Sequence, residues 1–299
     1  MQVYGSVVGH AFTRTHDGGF DAPVLVLGMD GWIDAGFGAG AAMAHLLASS
    51  TWEVVATFDN DRFLDFRDRR PVVRIADGLT EGITWPAIEL RAGKDGTGKD
   101  LLVLVGPEPD MAWHGFVSSV VDLAMELGVR LVVALGAFPL SVPHTRPVRL
   151  AATATSSELA EKIGVVKGAH SVPAGIHAAL QEGFGAAGVP AVGLWARVPH
   201  YAAAMPYPAA SAALIEGLAS LADLVLDAAD LHAAADLTRA RIDELIAGSD
   251  EHRDMVRQLE AAIDAEQAPA PFDPSDLPSG DEIGAELERF LRGETGTNP

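Results

Sequence analysis

Arg130-Leu-Val-Val-Ala-Leu-Gly-Ala-Phe-Pro-Leu-Ser-Val-Pro-His-Thr-Arg-Pro147 opens on an unbroken apolar run and closes in a proline-rich polar loop. A strand with one solvated face alternates apolar and polar residues, whereas an unbroken run is buried on both faces, as in a parallel sheet covered by helices. Four other runs read the same way: Pro23–Gly28, Glu53–Phe58, Asp100–Gly106 and Pro190–Ala196. Helical patterns fit between them at 35–48, 110–127 and 173–187. The expected architecture is an α/β fold, a mainly parallel sheet flanked by helices. Ile83–Leu90 and Val148–Thr155 alternate more and are expected nearer an edge or in an antiparallel flap.

Past residue 222 the pattern is helical only. Leu231, Ala235, Thr238, Ile242 and Leu245 step by three and four, as do Met255, Leu259 and Ile263, which predicts two amphipathic helices. Gly248 is expected to stop the first in a left-handed conformation and Ser249 to cap the second. Charge changes at the same place: residues 1–222 hold 22 acids and 15 bases, residues 223–299 hold 19 and 6. The expected organisation is an α/β core at 1–222, a helical hairpin at 223–267, and a Pro-rich linker, short helix and disordered tail at 268–299. Acid pairs such as Glu158 with Glu161 and Asp243 with Glu244 read as solvated helix faces.

The 299 residues include 41 acids, 21 Lys and Arg and no Cys, for a formal charge of −20. That balance opposes binding to nucleic acid or to anionic lipid. Without Cys there is no disulfide, thiolate nucleophile or zinc-thiolate site. The N-terminus lacks the basic and apolar regions of a signal peptide, and no apolar stretch reaches the ~18 residues of a membrane span, so a cytoplasmic protein is expected.

Three segments at expected strand ends hold candidate chemistry. In the first, Asp30, Trp32 and Asp34 stand at the usual mouth of an α/β site. Gly36–Ala41 matches G-x-G-x-x-A but begins eight residues after Gly28, too late for a dinucleotide loop, and there is no P-loop, so no cofactor is expected. In the second, Asp110 reads as a helix N-cap, Trp113 as core or a stacking wall, and Glu108, held between Pro107 and Pro109, as a positioned acid or base. The third is a pair of Val-Pro-His stretches following two strands. One offers His144, Thr145 and Arg146, an imidazole, a hydroxyl and an anion-binding guanidinium. The other offers Trp195, His200 and Tyr201. No catalytic residue is singled out. With neither H-E-x-x-H nor G-x-S-x-G, no metal site or serine-hydrolase elbow is expected.

Together, Gly31-Trp-Ile-Asp-Ala-Gly36, Gly106-Pro-Glu-Pro-Asp110 with Trp113, Leu135–Pro147, Ala152-Thr-Ala-Thr155, and Leu194–Tyr201 followed by Pro206 and Pro208 resemble the bacterial branch of the proteasome assembly chaperone 2 family. The resemblance covers roughly residues 20–270 and is most specific at Val142–Pro147. It implies a phosphorylase/hydrolase-like core with an added helical region, in a homo-oligomer, with a trimer as one arrangement. The chain departs from the family pattern at Ile33, where Asn is common. Its last residues, Gly296-Thr-Asn-Pro299, lack the hydrophobic-Tyr-X ending with which some archaeal assembly factors dock.

Two functions follow. The first is an interaction or assembly factor with a proteasome-related or other protein partner. The alternative is a small-molecule enzyme or sensor that binds an anionic or nucleoside-like ligand.

Overall fold

The run after Arg130 becomes a ten-residue strand, Leu131–Leu140, near the middle of an eight-stranded sheet. In the computed structural model, residues 12–267 are described, apart from 17–18, 32, 166–167 and 170. Their strands are β1 (Phe12–Arg14), β2 (Val24–Asp30), β3 (Glu53–Phe58), β4 (Val72–Ala76), β5 (Leu79–Thr84), β6 (Glu89–Lys94), β7 (Asp100–Pro107), β8 (Leu131–Leu140), β9 (Leu150–Ala154) and β10 (Ala191–Pro199). The helices are α1 (Gly38–Ala48), α2 (Asn60–Phe63), α3 (Trp113–Glu126), α4 (Ser157–Glu161), α5 (Ile176–Ala186), α6 (Pro208–Ala222), α7 (Ala229–Ala247) and α8 (Asp250–Gln267).

The main sheet runs β1-β3-β6-β7-β2-β8-β10-β9. Its centre, β7-β2-β8-β10, is parallel, and its flanks are antiparallel. β3 therefore differs from expectation: its apolar run is antiparallel to both neighbours. Only a short turn separates β6 from β7, and a tight turn returns the chain antiparallel. The stretch 83–90 also divides: β5 ends at Thr84, Pro86 intervenes, and β6 begins at Glu89.

Each sheet face is packed against its own core. On one face α1, α6 and α7 bring Met43, Leu214 and Ile242 to Val26, Val133 and Leu194. On the other, α3 and α5 bring Phe116 and Phe184 to Leu25, Leu102 and Val132. The expected helical hairpin is α7 and α8. Within it, Ile242 is buried and Ile246 packs on the core, but Leu245 is 65% exposed, one step round from the buried stripe. Gly248 is right-handed (φ −74°), not left-handed, and the Ser249 hydroxyl accepts the His252 N–H, as a cap should. The expected linker, last helix and tail at 268–299 lie outside the described residues.

One element was not foreseen. β4 and β5 form a separate two-stranded ribbon, closed by Asp77-Gly78 with both residues at positive φ, as a two-residue hairpin turn requires.

Candidate functional site

At the carboxyl ends of the parallel strands, the segments of interest take several roles. Asp34 ends the loop before α1, and its carboxylate accepts the Ala39 and Gly40 N–H groups at 2.8 and 2.9 Å. Burial raises its pKa, against those hydrogen bonds. Asp30 is exposed, and its backbone carbonyl accepts the Glu108 N–H at 3.2 Å. Trp32 lies outside the described residues.

Glu108 has a partner that its sequence context did not suggest: its Oε1 accepts the Ile176 N–H at 2.6 Å, satisfying the first turn of α5. Asp110 is not the cap of α3. That helix starts after Ala112, at φ 54°, while Asp110 accepts the Asp65 N–H at 2.8 Å and lies 3.4 Å from Arg69 Nε. Trp113 donates to the Pro109 carbonyl at 2.6 Å and packs on the α3/α5 core.

One Val-Pro-His stretch follows β8 and the other closes β10, its parallel neighbour, and they meet at Tyr201. His200 is exposed and lies edge-on to the Tyr201 ring at 5.3 Å, and His144 lies edge-on to it at 5.8 Å. His144 is buried. The Tyr201 hydroxyl accepts the His144 backbone N–H at 2.9 Å, which directs its own proton to Nδ1 at 2.8 Å. Nε2 is then the protonated nitrogen and donates to Asp243 Oδ1 at 3.0 Å. Burial, reinforced by the carboxylates of Glu260 and Asp243, pushes the Tyr201 hydroxyl up to about 12.

Asp243 belongs to α7, so it is not the merely solvated acid expected. Next to it, Thr145 donates to Glu260, and Arg146 reaches Glu260 at 3.1 Å and grips Asp264 through two bonds of 2.9 and 2.7 Å. Hydrogen bonding and charge from Asp264, with Glu260, raise the guanidinium pKa, and Arg146 lowers that of Asp264. The residues that seemed suited to an external anion therefore hold the hairpin's own carboxylates. Glu260 and Asp264 lie four apart on one helix face beside Ile263; that spacing was readable, but not the loop it would meet.

The site residues divide between layers. Glu108 and Trp113 join the α3/α5 side, whereas Tyr201 packs on the α1/α6/α7 core. Trp195 donates to Thr153 at 3.1 Å, and Thr153 in turn bonds Gln181 of α5. His144, Thr145, Arg146, His200 and Tyr201 thus form one group, with Glu108, Trp113 and Trp195 engaged elsewhere. Among the described residues, no three His, Asp or Glu side chains are grouped to hold a metal ion, and no helix is long and apolar enough to cross a membrane.

A family model described as the PAC2 family matches residues 28–246. The chain belongs to this family. A PAC2 family protein from Streptomyces avermitilis is 37% identical, with 78% of this chain and 99% of that one covered and a TM-score of 0.69. A proteasome-assembly chaperone homologue from Mycobacterium tuberculosis is 36% identical, covering 78% and 99%, with a TM-score of 0.71. A Corynebacterium glutamicum protein of unknown function is 30% identical, covering 86% and 98%, with a TM-score of 0.80. No curated protein matched the sequence. The PAC2 match takes in the His144 loop, Tyr201 and Asp243 but ends before α8, so Glu260 and Asp264 reach the loop from outside the matched region.

Proposed function

We propose that the protein is a cytoplasmic interaction or assembly factor, similar in role to the proteasome-assembly chaperone homologue it resembles and acting as a homo-oligomer. The observation that carries this reading is the β4–β5 ribbon. Val72, Ile75, Leu79 and Ile83 on it are between 52% and 72% exposed. An isolated two-stranded ribbon is marginal in water, and a cluster of large apolar side chains on one costs solubility unless it meets another protein. The ribbon is anchored at its base by Trp85, whose ring meets Phe66 edge-on at 5.0 Å. It presents a protruding arm with unpaired strand edges.

The state of the loop cluster supports the same reading over an enzyme or sensor. Arg146 and Thr145 are engaged by the hairpin, and Glu108 by α5. Residues 1–222 then act as the core and 223–267 as an appendage docked on it.

The test is affinity capture from the native host with the full chain and with an Ile75→Ser/Leu79→Ser variant, whose thermal melt is checked beside wild type. Retention of proteasome subunits by wild type, and their loss with the ribbon variant at unchanged melting, is the expected result. Retention of no protein by wild type, or equal retention by both, overturns the reading.

A further inference from the structure

The chain continues for 32 residues after α8 ends at Gln267, and their sequence falls into two parts. Residues 268–280 carry Pro269, Pro271, Pro274 and Pro278, the composition of an extended spacer. The sequence of 281–292 predicts a helix. Ser279-Gly-Asp-Glu282 is a capping-box pattern, Asp281 and Glu282 open the first turn, Arg289 and Arg292 stand in the last, and Gly293 follows. Ile283, Leu287, Phe290 and Leu291 repeat at three and four, which sets all four on one face. A helix this short is marginal alone in water, so the stripe needs a surface to cover it.

The outer side of α7 offers one. Beside the face that buries Ile242, it presents Leu237 and Leu245, 75% and 65% exposed, with Arg241 one turn from each. Steps of four place the three within an arc of about 80°. Ile283, Leu287 and Leu291 form a ridge of the same spacing, as ridge-into-groove packing requires. Charge agrees. Arg253 and Arg257 of α8 pair with Asp250 and Asp254, whereas Arg241 is exposed and has no carboxylate partner among the described residues. Glu286 and Glu288 flank the apolar stripe of 281–292, where one of them meets Arg241.

The spacer also reaches. His144 holds Asp243 of α7 and Arg146 holds Asp264 of α8, so the end of α8 and the body of α7 are fastened to one loop, two residues apart. From there the proline-rich stretch 268–280 extends to about 40 Å at about 3.1 Å per residue, against about 28 Å for the whole of α7 at about 1.5 Å per residue. A tether of this length keeps the segment at an effective concentration on the order of millimolar, so a small contact suffices.

We propose that residues 281–292 fold back as a helix onto α7 of their own chain, with Ile283, Leu287 and Leu291 against Leu237 and Leu245. This contact does not depend on what the ribbon binds.

The experiment is hydrogen exchange of the full chain. Amides of 283–291 should exchange about tenfold or more slowly than in an unstructured segment, and Leu237→Ser/Leu245→Ser should abolish that protection at unchanged melting temperature. Because the chain has no Cys, single thiols report the contact from the other side. Alkylation of Leu237→Cys should quicken about tenfold when Leu287→Ser/Leu291→Ser is added, a comparison that stands even if the first serine variant misfolds. In Leu237→Cys/Leu287→Cys, a short bis-maleimide should join the thiols within one chain. Unprotected amides at 283–291 overturn the proposal, as does alkylation that the added serines leave unchanged. Protection that survives Leu237→Ser/Leu245→Ser also overturns it and puts the segment on another surface, such as the ribbon. A cross-link between chains overturns it in favour of a second copy, and the absence of any cross-link overturns it outright.

Discussion

His177 occupies the first turn of α5, beside the Ile176 N–H that Glu108 holds. Part of the residue reaches the surface, yet its Nε2 is sealed and unpartnered, and burial pushes its pKa down to about 4 from an ordinary value of 6.5. An unfolded chain takes up this proton near pH 6.5 and the native one only near pH 4, so protons favour unfolding. The contribution is fully present above about pH 6.5, is lost progressively as pH falls to about 4, and amounts to about 3 kcal/mol across that window. Urea denaturation from pH 8 to 4 checks this: His177→Leu should lose less stability than wild type on acidification, and parallel curves would exclude the effect. Residue type alone hid this group, because the sequence shows an imidazole on a helix but not whether its nitrogens meet water. Glu108 was hidden in the same way. Its two flanking prolines were legible as a rigid frame, but the helix terminus it satisfies lies 68 residues away.

Gly106 is the penultimate residue of β7, at φ 127°, and a Cβ there would stand 2.3 Å from the Ala87 carbonyl oxygen and 2.9 Å from Ile88 Cα. Neither neighbour gives way easily, since Ile88 is tied to Asn60 through its N–H and to Phe58 through its carbonyl. Gly106→Ala combines a disfavoured backbone angle with a backbone clash, and should cost about 3 kcal/mol or more, lowering the melting temperature by about 6–12 °C. A melt within a degree or two of wild type would show that the 87–88 segment relaxes freely. Much of the element list was legible, because unbroken apolar runs report burial and three-to-four periodicity reports a helix face. Strand direction was less so. The run Glu53–Phe58 is as apolar as a central parallel strand, yet its direction depends on which neighbours it meets. The ribbon carried its own signal, Asp77-Gly78 between two β-branched stretches, but the exposure of its apolar residues is a property of the folded surface.

Across the whole molecule, the hairpin's acidity and the basic loop after β8 are two halves of one clamp. The stripes on α7 and α8 predicted a hairpin, but its docking rests on pairs at sequence separations of 99, 114 and 118 residues, which local pattern does not encode. The two helices depend on the clamp unequally. α7 is anchored by Leu231, Ile242 and Ile246 in the main core, whereas α8 buries Val256 and Ile263 and relies on Arg146 for Glu260 and Asp264. Arg146→Ala therefore removes a two-bond grip together with a second charge. These pairs are screened by solvent, so the expected cost to global stability is small. The loss should be local: amide exchange across 250–263 accelerates about tenfold, while α6 and the central strands keep their protection. Acid should act on the same clamp. Asp264 titrates below the ordinary carboxylate value because of Arg146, so the bond is intact above that ordinary value and is released as pH falls through the depressed one. Hydrogen exchange of wild type and Arg146→Ala at neutral pH decides the matter. Unchanged exchange in α8 would mean that Val256 and Ile263 hold it alone, and acceleration spread through α6 and β8 would mean that the hairpin is part of the core rather than docked on it.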